Sequence, residues 1–224
     1  MKLLKFFLTI ILFSVFPILN AQDWPQSNTY KEANQKIGLP GNGEKRVVFM
    51  GNSITEEWIK ICPEFFPPNY VNRGISGQTT PQMLIRFRQD VIDLKPTTVV
   101  LLAGVNDIAG NTGPSSIEMI CNNIMSMVEL ARMNNIQVIL CSVLPAYEFP
   151  WAKDKEPAEK IIELNQWIEN YARENNYIYV DYYSSMVDER KGLKSEYSED
   201  GVHPNRNGYE VMMPLLEKAI QQTL

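Results

Sequence analysis

Three stretches of this chain are apolar or nearly so without regular alternation: residues 47–50, 97–103 and 136–142. A sheet with one wet face alternates apolar and polar side chains, so unbroken apolar strands need cover on both sides. That is the condition of a parallel sheet held between two layers of helix. Two shorter strand patterns, residues 69–72 and 177–182, complete a set of five. Segments of helical period lie between them; residues 79–94, for example, place Met83, Leu84, Phe87, Val91 and Leu94 on one side. Residues 115–134, 156–175 and 207–222 read as further helices. The alternation predicts one α/β domain over residues 46–224, built on a five-stranded parallel sheet.

Residues 1–21 stand outside that domain. Lys2 and Lys5 form a basic start, residues 3–16 are almost wholly apolar, and Pro17 to Ala21 offers a cleavage region, although Leu19 sits where a small residue is preferred. The apolar run is too short for a membrane span and reads as a secretory signal peptide, so the expected location is periplasmic or secreted, with no stable membrane anchor. Residues 22–45 form a polar lead in which Trp24, Tyr30 and Ile37 are candidates for packing and Gly41-Asn-Gly43 is a turn.

Charge narrows the partners. Loss of residues 1–21 removes Lys2 and Lys5 and no acid, leaving 19 basic against 26 acidic side chains, a net charge of about −7. With no basic run, nucleic acid and anionic membrane are excluded as expected partners. Cys62, Cys121 and Cys141 are odd in number and irregular in spacing, which suits neither a disulfide framework nor a metal site. Cys121 and Cys141 fall in buried patterns and read as free thiols; one disulfide stays open for an oxidising compartment.

The polar residues of interest fall at strand ends. In Arg46-Val-Val-Phe-Met-Gly-Asn-Ser-Ile-Thr55 a short strand breaks at Gly51 and Asn52, Ser53 and Thr55 open a helix. Strand two ends in Arg73-Gly-Ile-Ser-Gly77 and strand three in Gly104-Val-Asn-Asp107. After strand five comes Asp200-Gly-Val-His203, which holds the single histidine of the chain. Parallel strands end on one edge, so all four blocks share it. The chemistry that fits is acyl transfer. Ser53 is the candidate nucleophile and His203 its base, with Asp200 orienting the imidazole. The backbone N–H groups of Ser53 and Gly77 and the side-chain amide of Asn106 are candidate donors to an oxyanion. Asp107 reads as a structural tie between loops. Two roles are open to Arg73, a substrate contact or a local ion pair. Tyr147, Phe149 and Trp151 follow strand four and suit an acyl pocket, a sugar-stacking platform or plain packing.

These four blocks, in this order, resemble those of the SGNH hydrolases, the GDSL-type esterases and lipases, over roughly residue 47 to the C-terminus. The wording of the blocks, Gly51-Asn-Ser-Ile54, Ser76-Gly77, Gly104-Val-Asn-Asp107 and Asp200-Gly-Val-His203, is closest to the platelet-activating-factor acetylhydrolase-like branch. The resemblance implies a flavodoxin-like three-layer α/β/α sandwich and ester hydrolysis without cofactor or metal. Ser53, His203 and Asp200 would be catalytic, with Ser53, Gly77 and Asn106 forming the oxyanion hole. One departure is Asn52, where the family usually has aspartate. The expected substrate is a small-molecule or glycan ester with a short acyl group, held by Arg73, Tyr147 and Trp151. A lysophospholipase- or thioesterase-type lipid acylhydrolase and a non-catalytic carbohydrate-binding module on the same fold are the alternatives.

Overall fold

A computed structural model describes residues 23–224; the expected signal peptide lies outside the described residues. Five strands, β1 (Val47–Gly51), β2 (Tyr70–Gly74), β3 (Thr98–Leu101), β4 (Gln137–Cys141) and β5 (Ile178–Val180), form one sheet in the order β2-β1-β3-β4-β5. Every neighbouring pair is parallel, with Val47 opposite Tyr70 on one side and Thr98 on the other. Helices α1 (Lys31–Ile37), α2 (Ser53–Ile61), α3 (Thr80–Asp90), α4 (Val105–Ala109), α5 (Ile117–Met133), α6 (Pro157–Asn175), α7 (Tyr183–Met186) and α8 (Arg206–Gln221) complete the chain.

The pleat divides the apolar strands between two cores. Val48 and Met50 of β1, Val99 and Leu101 of β3 and Val138 and Leu140 of β4 pack with α3, α5 and α6. Val47, Phe49, Val100, Ile139 and Cys141 point the other way, towards α2 and α8. β1 and β3 are therefore dry on both faces throughout, and β4 is so after Gln137, which is why these sequences do not alternate. The result is the flavodoxin-like three-layer sandwich, and its strand order reverses between β1 and β3, where open α/β sheets bind ligands at the carboxyl ends.

Local signals start the helices where the site needs them. Asn52 Oδ1 accepts from Ile54 N–H (3.2 Å) at the head of α2. Thr79 and Gln82 close a reciprocal capping box on α3. Gly74 lets α2 lie directly against β2, since a Cβ there would meet Glu56 N at 2.2 Å.

The lead is more structured than its polar sequence predicts. It forms α1, packed beside α3, and Tyr30 Oη donates to the Gly74 carbonyl. All three cysteines are buried free thiols, so the disulfide left open by the sequence is not formed. Burial pushes the Cys141 thiol up to about 12. No helix among the described residues is long and apolar enough to cross a membrane.

Candidate active site

The carboxyl edge at the switch between β1 and β3 opens into a cleft of about 470 Å³ whose walls include Ser53, Gly77, Asn106, Asn111, Trp151 and His203. Ser53 is the first residue of α2, so its N–H has no carbonyl within the helix to bond. Its Oγ lies 2.9 Å from His203 Nε2, across 150 residues of chain. The other ring nitrogen, Nδ1, lies 2.7 Å from Asp200 Oδ2. A neutral imidazole protonated at Nδ1 would donate to the carboxylate and leave Nε2 to accept from the serine hydroxyl.

One tight turn builds the acid–imidazole pair. Asp200 Oδ1 accepts the backbone N–H groups of His203 (2.8 Å) and Val202 (2.9 Å), while Gly201 N–H donates to Ser198 Oγ (3.0 Å). Ser198 Oγ in turn donates to the His203 carbonyl (2.7 Å). Partial burial pushes the Asp200 carboxyl up, but the hydrogen bonds from the His203 side chain and the two backbone N–H groups outweigh it and hold the group at about 2. The carboxylate is therefore ionised throughout the neutral pH range.

The opposite wall carries the donors. Gly77 sits at φ +77°, a left-handed conformation that strains any side chain, and keeps bare backbone at the cleft. Glu56 holds the loop before it by accepting Ser76 N–H (2.6 Å) and Ser76 Oγ (2.5 Å). Asn106, on α4, is 3 % exposed and donates Nδ2 to the Gln78 carbonyl (3.0 Å). Its neighbour Asp107 faces away from the cleft. There it accepts Thr80 N–H (3.0 Å to each oxygen) and Thr80 Oγ1 (2.6 Å), capping α3 from α4. Burial pushes Asp107 up to about 6, against the pull of those hydrogen bonds.

A sequence model described as the GDSL-like Lipase/Acylhydrolase family matches residues 49–211. The chain belongs to that family. A solved GDSL-like lipase of Bacteroides thetaiotaomicron is 49 % identical, with a TM-score of 0.87 over 89 % of this chain and 99 % of that one. The uncharacterized lipoprotein YqeF of Bacillus subtilis (strain 168) is 30 % identical over 50 % of this chain and 53 % of its own length. An acetylxylan esterase of Xylanibacter ruminicola is 23 % identical over 84 % of this chain and 45 % of its own length. The chain thus spans about half the length of these two curated relatives.

In this GDSL-like chain the flagged residues do not all reach the cleft. Ser53, Gly77, Asn106, His203 and Trp151 line it, and Asp200 stands behind His203. Trp151 stacks on the fully buried Phe149 (5.3 Å, 21°) and lies 5.9 Å from the His203 ring, so Phe149 is packing and Trp151 a wall. Tyr147 is exposed in a neighbouring hollow beyond Asp200, with the Arg190 guanidinium 5.3 Å from its ring centroid. Arg73 is a correction to the expected substrate contact: it is 5 % exposed and spent inside the protein. Its Nε donates to Asn34 Oδ1 (2.8 Å) and its guanidinium lies 4.6 Å from the Tyr30 ring centroid, because the lead folds over it.

Two polar residues belong to the site without any sequence signal. Asn111 donates Nδ2 to the Gly77 carbonyl (3.1 Å) and accepts Trp151 Nε1 (3.2 Å), joining both sides of the cleft. Ser198 threads the Asp200 turn. Neither belongs to the four blocks that carry the family resemblance. Asn52, in place of the usual aspartate, keeps the helix cap but leaves Nδ2 buried with no partner. An aspartate would have had no donor to orphan.

Proposed function

We propose that this chain is an exported serine esterase that removes short acyl groups, acetyl above all, from a carbohydrate or similarly polar ester. The observation that carries the reading is the continuous line from Asp200 through His203 to Ser53 Oγ, ending in a cleft walled by Gly77 and Asn106. In this reading Ser53 Oγ attacks the ester carbonyl as its proton passes to His203 Nε2. Asp200 fixes the imidazole tautomer and stabilises the imidazolium. The developing oxyanion takes hydrogen bonds from the Ser53 and Gly77 N–H groups and from the free N–H of the Asn106 amide. His203 then returns the proton to the departing alcohol, and water, deprotonated by the same imidazole, releases the acyl group from Ser53. No cofactor or metal enters the scheme.

The substrate class rests on separate support. Trp151, 47 % exposed beside His203, presents a flat apolar face of the kind on which sugar rings stack. One relative bears the name acetylxylan esterase and another the name lipoprotein, in keeping with a polar acetylated substrate met outside the cytoplasm. The test is hydrolysis of p-nitrophenyl esters from acetyl to decanoyl, with Ser53→Ala and His203→Ala shown to be folded by circular dichroism. Acetyl should be cleaved best, and each variant should lose at least ~10³-fold in kcat. A preference for decanoyl would move the substrate to lipids; an inert wild type would leave a binding module.

A further inference from the structure

Asn106 does not hold its own place. Its Nδ2 gives one N–H to the Gln78 carbonyl (3.0 Å), which leaves the second N–H of that amide for the cleft. Gln78 is 1 % exposed and both ends of its side chain are occupied. Its Oε1 accepts Arg86 Nε (2.6 Å), and its Nε2 donates to the Pro25 carbonyl in the lead (2.7 Å).

Arg86, fully buried, donates Nη2 to the Gly51 carbonyl (3.1 Å), two residues before Ser53, and Nη1 to Asp90 (3.0 Å). Gln78 and Arg86 together therefore tie the lead, the Gly51 carbonyl before Ser53 and the acceptor that orients Asn106. The lead is fastened alongside in the same manner. Gln82 Nε2 donates to the Trp24 carbonyl (2.6 Å) and Gln89 Nε2 to the Ser27 carbonyl (2.5 Å). Three glutamines thus clasp the lead by its backbone.

We infer that Gln78 is a positioning residue for the oxyanion donor Asn106, with the Pro25 carbonyl of the lead as its outer anchor. The inference rests on the reading of Asn106 proposed above. An oxyanion donor accelerates the reaction only if it is fixed before charge develops, and small displacements of such a group are expensive. Asn106 has one fixed acceptor, a backbone carbonyl. That carbonyl belongs to a loop just after the left-handed Gly77, which Asn111 holds at Gly77 and the capping box holds at Thr79; the Gln78 side chain is the anchor on the residue whose carbonyl Asn106 uses. The same anchor sets the peptide that follows Gly77.

The experiment is a double-mutant cycle on p-nitrophenyl acetate, well below each variant's melting temperature. Gln78→Ala should lower kcat ~10- to ~100-fold with KM within about twofold, a part of the ~10²–10³ that a whole donor is worth. The pH profile should keep its shape, because the Ser53–His203 pair is untouched. In an Asn106→Ala background, adding Gln78→Ala should cost less than about twofold, since a residue acting through Asn106 has nothing left to position.

Additive losses, or a normal kcat in Gln78→Ala, would overturn the inference. Should Gln78→Ala fail to fold, Gln78→Glu carries the same cycle: it keeps the volume and an acceptor for Arg86 Nε, and it replaces the donor to Pro25 by a carboxylate oxygen that the Pro25 carbonyl repels. Its expected loss is about fivefold or more. If Asn106→Ala alone has no effect, the oxyanion reading itself has failed.

Discussion

The two walls of the cleft are built in opposite ways. On the His203 side, one short turn supplies both partners: Asp200 and His203 are three residues apart, and their side chains are 41 % and 36 % exposed. On the Asn106 side, nothing is local. Asn106 is buried, and its acceptor Gln78 is tied to Arg86 and to the lead. Asp107 beside it, on α4, caps the helix α3. The two carboxylates register the contrast, Asp200 held at about 2 by donated hydrogen bonds and Asp107 pushed to about 6 by burial. The imidazole that must take up and release a proton, and the carboxylate that steadies it, are left within reach of water. A donor that must not move is sealed in and braced from several elements.

Three measurements would break or sharpen that contrast. The largest effect is expected from Asp200→Asn, which keeps the shape of the turn but loses the charge that selects the imidazole tautomer. Its kcat should fall ~10³- to ~10⁴-fold, with little change in melting temperature because the side chain is half exposed. A fall of less than tenfold would mean the turn is scaffolding.

The second concerns Asp107. Its folded pKa, about 6, lies above the ordinary value of 3.8. The stability this group contributes is thus fully present below about pH 4 and lost as pH rises through about 6. Two units correspond to about 3 kcal/mol. Urea unfolding should therefore show wild type losing about that much relative to Asp107→Asn between pH 4 and pH 7. Parallel pH curves for the two proteins would refute the assignment of this carboxyl as one whose burial outweighs the hydrogen bonds it accepts.

The smallest effect is expected from Ser198→Ala. One hydroxyl supports the turn from below, so a loss of about 1 kcal/mol in stability and a few-fold in kcat should follow. A loss as large as that of Asp200→Asn would place Ser198 in the proton path.

Much of this was legible in the sequence because each signal was local. Unbroken apolar runs gave the parallel sheet, and strand ends gave Ser53, Gly77, Asn106 and His203. What escaped depended on contacts distant along the chain. Arg73 at a strand end looks the same whether it faces the cleft or lies under another segment, and only the folded lead decides it. The lead itself looked polar because its helix α1 buries no residue and it is held by glutamines far away in sequence. Helices α4 and α7 are too short to show a period. Asn111 carries no pattern, since bridging Gly77 and Trp151 requires only an amide in the right place.

The sequence separation of 150 between Ser53 and His203 carries a consequence for how the protein comes to life. The turn that bears His203 leads straight into α8, whose Met212 and Leu216 pack against the face of the sheet that β1 began. Until that final helix docks, the first strand's serine has no base, however well the rest of the sheet has formed. On refolding from denaturant, the return of esterase activity should therefore be a stopwatch for the last long-range closure of the chain, trailing any signal that reports only secondary structure.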